Sequence, residues 1–119
     1  MSLRSIDIIT TDVLSAARFF TEVASLQPKE ISERFAEIPA GDITIMLSPD
    51  AMVPMGNAAG IILHFEVDDV RAAERQAREF GADILQSTMT TDWGWESCLV
   101  RGPEQTIVDL YKPAELVDL

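Results

Sequence analysis

The sequence predicts an α+β fold, in which two βαβββ modules form a curled mixed sheet around a shared cavity, with the helices on the outer face. Two observations carry this expectation. Apolar residues recur first with a period of two, then with helical spacing, then with a period of two again over three short stretches, and that order occurs twice. The second occurrence also overlays the first at an offset of 57 residues, which sets Asp69 on Asp12 and brings Leu63 and Phe65 onto Ile6 and Ile8. The chain reads as an internal duplication.

The first strand is marked by Ile6 and Ile8 alternating with Ser5, Asp7 and Ile9. Asp12 can cap a helix in which Val13, Ala16, Ala17, Phe20 and Val23 share one face, the face that packs on a sheet. Pro28, the polar stretch from Ser32 to Arg34 and Ala40-Gly41 then divide three strands near 28–32, 35–39 and 42–48. A linker at 49–60 carries Pro49, Pro54, Gly56 and Gly60. Beyond it, Ile61, Leu63, Phe65 and Val67 alternate with Ile62, His64 and Glu66, and Asp68-Asp69 precede a helix with Val70, Ala73, Ala77 and Phe80 on one face. Gly81 ends that helix, and Glu74 and Arg78 can pair at i, i+4 on its solvent side. Strands near 84–89, 95–101 and 106–112 follow, separated by turns at Asp92-Trp93-Gly94 and Gly102-Pro103-Glu104.

With 119 residues, 47% of them hydrophobic, the chain supports one core and a single domain over 1–119, made of a first module at 1–55 and a second at 56–119. Nine basic residues against 20 acidic ones give a net charge of −11, which makes nucleic acid a poor partner, because phosphate binding needs a basic surface. The same field favours cationic ligands. No apolar run is long enough to span a membrane, and one cysteine, Cys98, allows no internal disulfide, so a reducing cytoplasmic setting is expected. Cys98 alternates with Leu99 and is expected to face the helix side as a buried apolar residue.

If the helices cover one side of each sheet, the opposite sides face one another across a groove, and the groove carries the function. Alternation places Asp7, Met46, Ile62, His64, Glu66, Leu99, Asp109 and Tyr111 there. An apolar lining with a few polar groups suits a small organic ligand, since burial supplies affinity and polar atoms fix orientation. Trp93 and Trp95 flank Gly94 in a turn, where large rings are positioned to stack on planar or cationic molecules. Met46, Met52 and Met55 add an adaptable thioether surface. His64 is the one histidine, and the duplication makes Asp7 its counterpart, so an Asp-His contact across the groove is conceivable.

Three segments carry a resemblance to a known superfamily. They are Ile6-Asp7-Ile8-Ile9-Thr10-Thr11-Asp12-Val13 through Phe19-Phe20, Leu63-His64-Phe65-Glu66-Val67-Asp68-Asp69-Val70, and Trp93-Gly94 through Val100-Arg101-Gly102-Pro103 to Val108-Asp109-Leu110-Tyr111. Together they resemble the vicinal oxygen chelate superfamily of glyoxalases, bleomycin-resistance proteins and extradiol dioxygenases. The resemblance implies metal-ligand positions at Ser5, Met46, Ile62 and Asp109, of which Asp109 alone can ligate a hard cation. The expectation is therefore no metal and no cofactor. The resemblance points to a metal-free binding protein of the bleomycin-resistance type, connected with antibiotic resistance, that sequesters an aromatic or cationic drug-like compound. The alternative is a glyoxalase-like lyase or isomerase, or a dioxygenase-related enzyme, working through His64 and carboxylates. A third reading is an interaction module whose groove its own side chains fill. A symmetric homodimer is expected, because each half leaves strand edges to be paired.

Overall fold

The computed structural model describes residues 1–114. The element order is β1 Ser5–Ile9, α1 Val13–Val23, β2 Glu30–Ile31, β3 Ala36–Ala40, β4 Ile43–Ser48, β5 Ile62–Glu66, α2 Val70–Phe80, β6 Ile84–Thr90, β7 Trp95–Arg101 and β8 Ile107–Pro113. The offset of 57 residues holds to the residue: it carries the bounds of β1 onto those of β5 and the bounds of α1 onto those of α2. Local chemistry accounts for this agreement. Asp12 accepts a hydrogen bond from the Ser15 amide and Asp69 from the Ala72 amide, so each helix starts at a side-chain cap. Gly81 closes α2 at φ +92°, a left-handed conformation that a side chain would strain.

The strands form two mixed four-stranded sheets of order β1-β4-β3-β2 and β5-β8-β7-β6. In each, the first strand runs parallel to the last and the remaining pairs are antiparallel. A parallel pair needs a crossover, and the helix supplies it. The strand expected at 28–32 contracts to two residues, because the Ser32 amide and hydroxyl both donate to the Phe35 carbonyl and turn the chain there.

The period-derived face of α1 is buried in full, and Phe19 is buried beside it. Sequence spacing left Phe19 outside that face. Its burial follows from α1 packing on α2 as well as on its own sheet, with the Phe19 ring 6.3 Å from Phe80 and the fully buried Phe20 ring 6.2 Å from Phe65 of β5. The two modules thus share one core, and Phe20→Ala would cost on the order of 3–5 kcal/mol. A polar tie reinforces the junction, where Gln76 of α2 donates to the Glu22 carbonyl at 2.5 Å and to Ser25 Oγ at 3.1 Å.

Glu74 departs from expectation. It does not form a solvent-side pair with Arg78 alone: its carboxylate also accepts from the Thr88 amide at 2.6 Å and the Thr88 hydroxyl at 2.7 Å, which ties α2 to β6. Those donors, the Thr88 amide foremost, hold its pKa near 2. Cys98 faces the helices and is fully buried, and burial together with the nearby Glu74 carboxylate pushes its thiol up to about 12. Such a thiol is inert as a nucleophile at neutral pH. No helix among the described residues is long and apolar enough to cross a membrane.

Candidate functional site

The side of the second sheet away from the helices is organised by register. The parallel pairing of β5 with β8 sets His64 against Asp109, and the antiparallel pairing of β8 with β7 sets Asp109 against Leu99 and Tyr111 against Ser97. Period-two alternation then brings all of these side chains to one face. His64 Nδ1 lies 2.8 Å from Asp109 Oδ2, and the Ser97 hydroxyl donates to Asp109 Oδ1 at 2.5 Å. Asp109 is only 3% exposed. A carboxylate survives burial when its oxygens are hydrogen-bonded, and both of these are.

Around this polar centre stands a row of rings. Trp95 and Tyr111 stack at 4.0 Å with planes 19° apart, and the His64 ring sits edge-on to both, at 5.9 and 6.0 Å. Trp93 meets Trp95 at 6.3 Å, nearly perpendicular, and is 69% exposed. The tight turn before β7 fixes the two indoles. Gly94 takes φ +88°, its amide donates to the Thr91 carbonyl, and the Trp95 amide donates to the Thr91 hydroxyl.

Of the residues anticipated from the sequence, His64, Trp93, Trp95, Leu99, Asp109 and Tyr111 share this second-sheet face, and Glu66 lies on β5 two residues beyond His64, opposite Tyr111. Asp7 and Met46 belong to the first sheet, opposite one another in register. The carboxylate that meets His64 is therefore Asp109 and not Asp7: parallel register delivers the partner from the neighbouring strand. Asp7 instead borders a small cavity of about 130 Å³ together with Ile9 and Met55. A larger cavity, about 540 Å³, lies between the modules. Ile62, His64 and Glu66 line it, facing Ile6, Ile43 and Ile45 across it, while Met46, the tryptophans, Leu99, Asp109 and Tyr111 do not. Sequence reasoning missed Leu26, Ala40 and Phe65 as walls of this cavity, since a periodic pattern shows which side of a strand is apolar but not which module meets it. Met52 lies fully exposed in the linker.

The residues do not fit a divalent metal. Ser5, Met46 and Ile62 offer a hydroxyl, a thioether and an alkyl group, and Asp109 has both oxygens committed to His64 and Ser97. Among the described residues, no three His, Cys, Asp or Glu side chains gather in a metal-binding group.

Comparisons with known proteins bear on the fold. A solved structure described as a conserved domain protein is 33% identical, the match covering 95% of this chain and 99% of that one at a TM-score of 0.83. A glyoxalase/bleomycin resistance protein/dioxygenase family enzyme from Burkholderia phytofirmans PsJN is 20% identical over 93% of this chain and 98% of its own, at TM-score 0.79. TioX from Micromonospora sp. ML1 is also 20% identical, over 95% and 99% of the two chains, at TM-score 0.74. No protein-family model matches the sequence, and no curated protein does. The chain has the vicinal oxygen chelate fold, shared by glyoxalases, bleomycin-resistance proteins and dioxygenases. With the 33%-identical protein it belongs to one family of that fold.

Proposed function

We propose that this protein binds a planar aromatic or cationic small molecule reversibly and without a metal, as a sequestering protein of the bleomycin-resistance type. The observation that supports this reading is the continuous aromatic row Trp93, Trp95, Tyr111 and His64 standing over a buried carboxylate. Aromatic stacking contributes roughly 0.5–1.5 kcal/mol beyond burial, and a cation over a ring adds a comparable amount. The net charge of −11 raises the local concentration of a cationic ligand. Calorimetric titration with a panel of planar cationic dyes and aromatic antibiotics tests the reading. Saturable one-to-one binding, with each compound recovered unchanged by mass analysis, supports it; no binding by any member refutes it.

A second reading rests on the His64–Asp109 hydrogen bond, since an imidazole oriented by a carboxylate is also how a general base is built. Bound compounds that emerge chemically altered, with the alteration lost in His64→Ala, would make the protein an enzyme. We further propose a symmetric homodimer. A ligand lying on an open sheet face is covered on one side, and the edge strands β2 and β6, with exposed Ile31, Leu85 and Met89, offer surface for a second copy to complete the enclosure. Light scattering at micromolar concentration checks this, and a monomer mass removes it.

A further inference from the structure

The hydrogen bonds beneath the aromatic row fix more than the position of His64. An ionised carboxylate accepts hydrogen bonds and donates none, and a serine hydroxyl has one proton to give. Ser97 gives that proton to Asp109 Oδ1, so the hydrogen between His64 and Asp109 Oδ2 is carried by His64 Nδ1. A neutral imidazole holds one N–H, and with Nδ1 protonated the lone pair is on Nε2. Nδ1 is turned to a buried group while the His64 side chain remains 48% exposed, which leaves Nε2 on the accessible half of the ring. The ring stands beside the Trp95–Tyr111 stack, nearly equidistant from both and perpendicular to them. A flat ligand lying parallel to that stack brings its rim, not its face, toward the imidazole.

We infer that His64 is a specificity-determining acceptor, held as the Nδ1–H tautomer by the Asp109 carboxylate, and that the face selects planar aromatic molecules carrying an N–H or O–H donor on their rim. This rests on the proposed binding at the aromatic row. Asp109 acts as a positioning residue, since it reaches the ligand through the imidazole. Methylating the donor removes one hydrogen bond at a half-exposed site, worth about fivefold to tenfold in affinity. Asp109→Asn removes the preference: the Ser97 hydroxyl occupies the amide oxygen, the amide N–H₂ faces Nδ1, and the imidazole proton moves to Nε2.

The chain has a single histidine, so the long-range proton–nitrogen correlation spectrum of its imidazole reads the tautomer directly, with no ligand present. At a pH where the ring is neutral, the wild type is expected to show protonated Nδ1, and Asp109→Asn protonated Nε2. Protonated Nε2 in the wild type overturns the inference. Ser97→Ala, which keeps the carboxylate, should retain protonated Nδ1 and serves if Asp109→Asn fails to fold; loss of the Nδ1 proton in that variant also overturns it. The ligand side is measured by calorimetry with an amino-acridine and its dimethylamino analogue. Tighter binding of the donor-bearing member, with the difference lost in Asp109→Asn, supports the donor requirement. Equal binding of both overturns that requirement while leaving the binding reading intact, and binding of neither overturns both.

Discussion

At one point of the repeated scaffold the first half sets Asp7 beside Met46 and the second sets His64 beside Asp109. The strands, the parallel register and the alternation are the same, and the outcome is not. A thioether is a weak acceptor and gives Asp7 no reason to leave water, so Asp7 remains exposed. In the second half the imidazole and Ser97 satisfy Asp109, which is buried under a wall of rings. Duplication supplies the framework, and a few side chains assign the chemistry to one half.

The sharpest break of this comparison is to remove the two aspartates in turn. Asp109→Ala strips a buried carboxylate from two partners and leaves the buried Ser97 hydroxyl without its acceptor, and should lower unfolding free energy by about 2–3 kcal/mol. Asp7→Ala, at an exposed position, should stay within about 0.5 kcal/mol. Denaturant midpoints measure both, and equal losses would show that the halves are not differentiated as described.

The turns beneath the two faces sharpen the contrast. A Cβ placed on Gly102, before β8, would sit 2.5 Å from Thr106 Oγ1 and 3.1 Å from Val108 Cγ2. Thr106 is itself buried and donates to the Pro103 carbonyl at 2.6 Å, so it has little room to yield. Gly102→Ala should cost about 2 kcal/mol through overpacking. Gly41, in the turn before β4, faces open space and is constrained only by φ +66°, so Gly41→Ala should cost about 1 kcal/mol. A thermal unfolding series ranks the two.

For ligand binding the matched pair is Trp95→Ala and Met46→Ala. Loss of the indole stacked on Tyr111 should weaken a planar ligand about tenfold, or 1.4 kcal/mol, while loss of Met46 on the other sheet should change affinity less than about twofold. Titration of both variants with one dye decides whether the second sheet carries the site.

The sequence made the framework legible because its signals are local. The Asp12 and Asp69 caps, the helical spacing of Val13 to Val23 and the alternation of Ile61 to Val67 each act within a few residues, and their elements lie where the spacing predicts. The partner of His64 was not legible. Asp109 is 45 residues away in the chain, and its choice over Asp7 depends on a parallel register that no local pattern encodes. Phe19 escaped for a similar reason, since a second helix, not the sheet, buries it.

The smallest expected effect concerns the tie from α2 to β6, which the first half lacks. Glu74 falls on Ala17 under the offset of 57, and Ala17 is fully buried with no polar group to offer. The second half has a carboxylate there, holding the Thr88 amide and hydroxyl and pairing with Arg78. Those donors lower the Glu74 pKa from 4.5 to about 2, so the folded state binds this proton less readily than the unfolded chain. Stability from the ionised carboxylate is therefore complete above pH 4.5 and is lost as pH falls toward about 2. A hydrogen bond to a charged group is worth on the order of 1.5–3 kcal/mol, and partial solvent access reduces it, so Glu74→Gln should cost about 1 kcal/mol at neutral pH. The variant and wild-type stability curves should converge as pH falls through that window, as read from urea midpoints along the acid limb. Parallel curves would show that Glu74 is not the tie, and that the long β6 of the second half is held by its pairing with β7 alone.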